Sequence, residues 1–172
     1  MNRIIYTIGH SDLDFDSFFS LLKKFKIQVL VDIRSQPYSS YVKHFNKETL
    51  KNALEKHKID YYFGGGAIGG RPDDESLYED GRVSYKKIRA TDKYQKAIKL
   101  LKKLITLKNV ILMCSEENPD KCHRSILIAP DLMEMGIEVR NVRSDGTWSK
   151  MEIPPLQLDF IEPDTNSQHN TP

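Results

Sequence analysis

The sequence predicts an α/β fold: a single three-layer domain with a mostly parallel sheet of about five strands. Short apolar runs rich in β-branched residues alternate with amphipathic segments along most of the 172 residues. This alternation is typical of parallel strands joined by crossover helices, which cover both faces of the sheet. The length suits one domain, and 39% hydrophobic with 29% charged residues excludes collagen-like and fully disordered chains.

The first elements are a strand, a helix and a second strand. Residues 3–8 form an apolar run, and residues 14–26 carry apolar side chains at helical spacing behind Asp14, a good N-cap. Residues 28–33 are apolar and β-branched, which favours a buried strand.

The middle of the chain contains a second helix and a third strand. Asn46 is placed to cap a helix over 47–58, and residues 59–63 form a brief strand. Residues 64–75 are rich in glycine and lack the P-loop pattern, so we interpret them as a flexible lid, as a close approach of the backbone to a ligand, or as an ordinary surface loop. Residues 76–90 have no clear pattern.

A long amphipathic helix precedes the clearest strand of the sequence. Thr91 or Asp92 is expected to cap this helix, which extends to about residue 107. Residues 109–113 are uniformly apolar and indicate a buried strand.

The last helix and strand complete the pattern. We expect the helix to begin near Cys122 and to end at Gly136, with a kink or a break at Pro130. Residues 137–142 are the fifth strand.

The composition changes near residue 150, so we expect an α/β domain over 1–150 and a Pro-rich, partly disordered tail over 151–172. The tail holds four acids and no lysine or arginine, which leaves the body with 26 basic and 20 acidic residues, a net charge of +6. Such a body can attract a phosphate-bearing partner.

Three absences in the sequence point to a cytoplasmic protein. No apolar run reaches the length of a membrane span, and the N-terminus is too short and too polar for a signal peptide. The two cysteines are too few for a disulfide framework.

Polar and glycine residues follow each predicted strand in turn. In a parallel sheet the carboxyl ends of the strands share one edge, where ligands bind. The sequence therefore predicts a polar, charged cleft formed by five segments, 7–11, 32–37, 64–66, 113–117 and 143–146.

These segments resemble a known family. TIGHS at 7–11, VDIRSQP at 31–37, the glycine-rich loop after YYF and CSEENPDKCHRS at 114–125 look like the domain of unknown function 488 family, over about residues 3–146. The resemblance implies an α/β fold with a polar site and no established activity. The order of an Asp-x-Arg and a later cysteine also resembles the layout of rhodanese-like and thiol phosphatase folds, although the spacing from Cys114 to Arg124 is too long.

Four residues are candidate catalytic groups. His10 lies in a turn at the binding edge and titrates in the range of acid–base catalysis. Asp32 and Glu116 are candidate carboxylates, although Asp32 and Arg34 also suit a structural ion pair. Cys114 is either a thiol nucleophile or a small buried core residue.

If a helix begins near Cys122, its first backbone N–H groups point into the cleft and favour an anion. The guanidinium of Arg124 adds a positive charge that can bind phosphate or carboxylate. The candidate ligand-binding residues are Thr7, Ser11, Arg34, Gly65, Gly66, Arg71, Cys122, His123 and Arg124. No metal and no cofactor are expected, because the four cysteine and histidine residues near this edge lack the spacing of a zinc site.

The sequence favours an enzyme, a hydrolase or transferase that acts on an anionic nucleotide-like or nucleic-acid-derived substrate. One alternative is a rhodanese-like or phosphatase-like thiol enzyme. Another is a non-catalytic nucleic-acid-binding module that uses the lysine-rich segment 86–108, although such a segment is more often a solvated helix face. The expected partner is an anionic small molecule or a nucleic acid, and no association with a membrane is expected. The oligomeric state is left open.

Overall fold

Strands and helices alternate along residues 3–152, the part of the chain that the computed structural model describes. The strands are β1 (Arg3–Gly9), β2 (Val29–Asp32), β3 (Asp60–Phe63), β4 (Tyr78–Glu79), β5 (Arg82–Val83), β6 (Val110–Cys114), β7 (Ile137–Val142) and β8 (Trp148–Lys150). The helices are α1 (Phe15–Lys24), α2 (Lys47–Lys56), α3 (Gly65–Ile68), α4 (Tyr85–Ala90), α5 (Asp92–Ile105) and α6 (Ala129–Glu134). Single 3₁₀ turns cover Lys43–Phe45, Glu75–Leu77 and Pro119–Lys121, and a π-helical turn covers Arg124–Ile128.

Two of the three predicted N-caps are confirmed. Asp14 accepts a hydrogen bond from the Ser17 backbone N–H at 2.8 Å, and Thr91 accepts one from the Tyr94 N–H at 3.2 Å. Asn46 precedes α2, but its side-chain oxygen accepts from the Ser39 N–H at 2.7 Å instead of capping the helix.

The last helix changes its geometry just before Pro130, where the sequence predicts a kink or a break. The chain turns through the π-helical Arg124–Ile128 and only then enters α6, with Pro130 in its first turn. Because proline has no N–H, it is tolerated where a helix begins and not inside one. Gly136 follows α6 with a φ of 74°, the left-handed terminator expected from the sequence.

The main sheet has the order β3-β2-β6-β1-β7-β8. Its first five strands are parallel, and β8 pairs antiparallel with β7, so the sheet has one strand more than the five predicted. All three residues of β8 are exposed, so it lacks the apolar pattern by which the others were found. The unassigned segment 76–90 contains the β4–β5 hairpin and α4.

Helices cover both faces of the sheet, as a three-layer domain requires. Buried residues of α1 and α2 form one core with one face of the sheet, whereas α5 and α6 pack on the opposite face. The strands β1 and β2 therefore lead to one layer, and the central strand β6 leads to the other. A crevice opens at the carboxyl end of β6, where the loops diverge.

The glycine-rich stretch differs from the predicted flexible lid, since α3 occupies it. A Cβ atom on Gly65 would lie 1.9 Å from the Arg34 carbonyl oxygen, so this glycine permits close contact between two parts of the backbone rather than with a ligand.

The body of the domain continues slightly past the expected boundary. Met151 is buried in the core beside α5 and α6, and its N–H donates to the Val139 carbonyl at 2.8 Å. The prediction of partial disorder in the tail concerns residues 153–172, which lie outside the described residues. Within 3–152, no helix is long and apolar enough to cross a membrane.

Candidate active site

A cleft of about 390 Å³, here called the polar cleft, opens where β2 and β6 end. Its walls and floor come from the loop after β2, the end of the glycine-rich stretch, the start of α4 and the segment after β6. The lining residues are Arg34, Ser35, Gln36, Tyr38, Gly70, Arg71, Tyr85, Cys114, Ser115, Glu116, Cys122 and His123.

The end of β1 fixes the position of the segment that follows β6. A Cβ atom on Gly9 would lie 1.8 Å from the Glu116 carbonyl oxygen, so only glycine allows this approach. The N–H groups of His10 and Ser11 donate to the carbonyls of Cys114 and Ser115, each at 2.9 Å. Backbone hydrogen bonds therefore hold the two loops together beside the cleft.

A buried ion pair lies behind one wall of the cleft. Asp32 is fully buried and accepts from Arg34 Nε at 2.9 Å and Nη2 at 2.6 Å, and from the Tyr61 hydroxyl at 2.8 Å. Arg34 also donates to the Phe45 carbonyl at 2.7 Å and contacts His10 Nε2 at 3.2 Å through Nη1. We call these five residues the Asp32 network.

The imidazole of His10 is held in its neutral form within this network. Its Nδ1 lies 2.9 Å from the Ser11 carbonyl, which needs an N–H, so Nε2 is left to accept from Arg34. The ring stacks on Phe45 at 4.2 Å between centroids. Burial, and then the Arg34 charge, lower the pKa of His10 to about 4.

Two of the predicted catalytic residues therefore lie outside the polar cleft. His10 and Asp32 are behind Arg34, with their polar atoms bonded to protein groups. The bonding matches the structural ion pair that was the alternative interpretation of Asp32 and Arg34. Their catalytic roles remain predictions that this position does not favour.

Four predicted ligand-binding residues also lie away from the cleft lining. The Thr7 hydroxyl donates to Asn141 on the neighbouring strand β7. Ser11 has a φ of 43° and bonds the loop after β6 through its backbone. Gly65 and Gly66 belong to α3, because the stretch expected to be a loop is helical there.

The floor of the polar cleft is formed by Cys114, Cys122 and His123, here called the cysteine–histidine cluster. The two sulfur atoms lie 3.3 Å apart, and His123 Nδ1 lies 3.8 Å from the Cys114 sulfur and 3.7 Å from that of Cys122. His123 Nε2 lies 3.0 Å from the Ile33 carbonyl, so Nε2 carries the proton and Nδ1 directs its lone pair at the sulfurs. These three atoms are a possible ligand set for a metal ion.

Arg124 supports this floor from below. It is 1% exposed, and its Nε donates to the Cys122 sulfur at 3.3 Å. Its Nη2 donates to the carbonyls of Glu116 and Glu117. Arg124 is therefore not among the residues that line the cleft, and its guanidinium holds the loop after β6, so its expected role in binding an anion stays a prediction.

The two thiols have opposite acidities. The hydrogen bond shared with Cys114, assisted by His123 and Arg124, lowers the pKa of Cys122. The same hydrogen bond, together with burial, raises the pKa of Cys114. Negative charge is therefore favoured on the Cys122 sulfur, which faces the Arg124 guanidinium.

The cleft also has charged groups without protein partners. Within residues 3–152, the side chains of Arg71 and Glu116 make no hydrogen bond or ion pair, and both are exposed on the cleft. Glu117, by contrast, pairs with Arg143 at 2.8 Å.

Sequence reasoning did not select several lining residues. They are Ser35, Gln36, Tyr38, Gly70, Tyr85 and Ser115. Ser35, Gln36 and Ser115 lie within segments 32–37 and 113–117, which the sequence predicts to form the cleft, although they were not chosen as individual site residues. Tyr85 begins α4 within the unassigned segment, and no sequence signal places it at the cleft.

The lysine-rich segment 86–108 lies mainly on the outer surfaces of α4 and α5. Lys96, Lys99 and Lys103 are exposed, opposite the buried face of α5. Lys87 and Lys108 form ion pairs with Glu79 and Asp60. This arrangement is that of a solvated amphipathic helix.

The comparison with known proteins agrees with the motifs and the fold. No curated protein and no solved structure matches the chain. Residues 14–129, well over half of the sequence, match the family described as Domain of unknown function DUF488. The chain therefore belongs to that family.

Proposed function

We propose that this protein is an enzyme that hydrolyses or transfers a group of an anionic, nucleotide-like substrate bound in the polar cleft. One observation carries the proposal: Arg71 and Glu116 present unpartnered charges of opposite sign to a cleft whose floor holds two thiols and an imidazole. Charged groups and buried nucleophiles that converge on one cleft are typical of catalytic sites.

The substrate class follows from the walls of the cleft. Arg71 offers a guanidinium fork to a phosphate, and the exposed ring of Tyr38 offers a surface on which a base can stack. Burial raises the pKa of Tyr85, so its hydroxyl stays protonated and can donate to an anion. A cleft of about 390 Å³ suits a ligand of nucleotide size.

We assign acid–base catalysis to the segment that follows β6. Glu116 acts as the acid–base group, because it lines the cleft and its carboxylate has no protein partner within the described residues. In this proposal, Arg34 shapes the wall, and His10 and Asp32 are positioning residues that hold its guanidinium.

A panel of chromogenic phosphate esters and nucleotides tests the proposal. We expect the protein to turn over at least one phosphate mono- or diester, with Glu116→Gln lowering kcat by about 100-fold or more. Arg71→Ala should raise KM by about 10- to 100-fold, the cost of a charged hydrogen bond. The control Glu117→Gln should retain kcat. Absence of turnover together with absence of nucleotide binding in calorimetry would contradict the proposal.

A thiol-dependent transferase is the second candidate. The observation that favours it is the position of both sulfur atoms, 3.3 Å apart, on the floor of the cleft. In such an enzyme one thiolate attacks the substrate, the bond to the leaving group breaks, and the sulfur carries the transferred group until an acceptor nucleophile displaces it. Iodoacetamide should then modify one cysteine at neutral pH much faster than in the urea-unfolded chain and abolish turnover, whereas equal rates would remove this candidate.

A further inference from the structure

We propose that the cysteine–histidine cluster binds a zinc ion through Cys114, Cys122 and His123, with its fourth position open to the polar cleft. The inference deepens the proposed function, and it rests on that function for the role of the metal but not for its binding. The sequence argument against zinc relied on spacing alone, and β6 and the turn after it bring together ligands that are eight residues apart.

The distances between the three donor atoms fit a tetrahedral ion. Zinc lies about 2.3 Å from sulfur and about 2.0–2.1 Å from nitrogen, which requires edges of about 3.8 Å between sulfurs and about 3.6 Å between sulfur and nitrogen. The observed edges are 3.3, 3.7 and 3.8 Å. Shifts of about 0.5 Å or less therefore complete the coordination.

The groups around the donors resemble the supporting shell of a metal site. His123 uses Nε2 on the Ile33 carbonyl, and among residues 3–152 the polar partners of its Nδ1 are the two sulfurs, at distances that are long for a hydrogen bond. Arg124 donates to the Cys122 sulfur, which offsets the charge of two thiolates. Gly70 lies so close to His123 that a Cβ atom would be 2.8 Å from the ring, so the ring is held in place.

Thiolate and imidazole donors favour zinc among the common cellular metals, and three protein ligands with one open position are typical of catalytic zinc. A water molecule at the open position loses a proton to Glu116 and attacks the phosphorus of a bound ester. The bond to the leaving oxygen breaks, and that oxygen takes the proton back from Glu116.

Binding is tested with zinc and cobalt on the full chain after removal of metal by a chelator. We expect one equivalent of zinc to bind, and cobalt to give the thiolate charge-transfer and intense visible bands of tetrahedral coordination. Cys114→Ser, Cys122→Ser and His123→Gln should each weaken zinc binding by more than about 100-fold, since loss of even a supporting group costs about 10- to 100-fold. The control His57→Gln, far from the cluster, should bind as the wild type does.

A second measurement avoids variants that fail to fold. Zinc should protect both cysteines of the wild-type chain from iodoacetamide, and unchanged alkylation with zinc present would overturn the proposal. So would zinc binding that is equal in the wild type and the cysteine variants. Zinc binding with neither turnover nor nucleotide binding would instead refute the proposed function. Turnover that survives chelation would show that the metal has no catalytic role, and the proposed enzyme activity would stand.

Discussion

The Asp32 network and the cysteine–histidine cluster lie at the ends of the neighbouring strands β2 and β6, yet they differ in how their polar atoms are used. In the network, Asp32 and Arg34 bond to one another and to fixed protein groups. In the cluster, the donor atoms face each other across 3.3–3.8 Å on the floor of an open cleft. The first arrangement stabilises the fold, and the second retains capacity for a ligand.

The difference has an energetic basis. A buried charge is costly unless it is paired and fully hydrogen-bonded, so the groups of the network depend on one another. Within residues 3–152, no buried side-chain nitrogen or oxygen lacks a partner. Substitutions in the network should therefore change stability, and substitutions in the cluster should change binding and activity.

The largest expected effect is that of Asp32→Asn. It leaves the Arg34 guanidinium buried without its counter-charge, so the free energy of unfolding should fall by about 3–5 kcal/mol. Urea denaturation followed by circular dichroism measures this loss. Glu55→Gln, which breaks the exposed pair with Lys51, should cost less than about 0.5 kcal/mol. A loss as small for Asp32→Asn would show that the network does not hold the fold.

Acid should weaken the fold through His10. Its pKa is 6.5 in the unfolded chain and about 4 in the folded one, so its stabilising contribution is complete above pH 6.5 and is lost as the pH falls toward 4. The loss should reach up to about 3 kcal/mol. Unfolding measured from pH 7 to pH 4 should show a shallower slope in His10→Gln than in the wild type, because the other groups titrate in both proteins. Equal slopes would contradict the lowered pKa.

The sequence predicts the sheet edge at which polar residues gather, but it does not predict which of them bond within the protein and which face the cleft. Alternating apolar runs predict β1, β2 and β6, and the parallel arrangement brings their polar ends together. Whether a polar residue is bonded internally or faces a cleft depends on contacts between loops far apart in sequence. The Arg34 bond to Phe45 and the approach of Gly9 to Glu116 are such contacts, and no local pattern encodes them.

The hydroxyl of Tyr61 gives a smaller test of the network. Tyr61→Phe removes one hydrogen bond to Asp32 while the bonds from Arg34 remain, so the free energy of unfolding should fall by about 1–2 kcal/mol. Tyr62→Phe is the matched control on the same strand. Its side chain is 54% exposed, and the change should lie within about 0.5 kcal/mol of zero. Equal effects of the two substitutions would show that the Tyr61 bond adds nothing to the network.

The last test lies on the other side of the comparison, at Gly70, and its main measurement is zinc affinity rather than stability. A Cβ atom at Gly70 would lie 2.8–2.9 Å from the Cβ, Cγ and Nδ1 atoms of His123, so the His123 side chain must shift, and Gly70→Ala should cost about 1–3 kcal/mol. The same shift moves Nδ1 away from the sulfurs, and zinc affinity in a competition titration should fall by about 10- to 100-fold. Gly66→Ala is the control, since its added Cβ meets nothing closer than Lys93 Nζ at 3.5 Å, and it should leave affinity unchanged. If Gly70→Ala lowered stability severely but left zinc affinity intact, the cluster would behave like the Asp32 network, and the contrast between the two regions would fail.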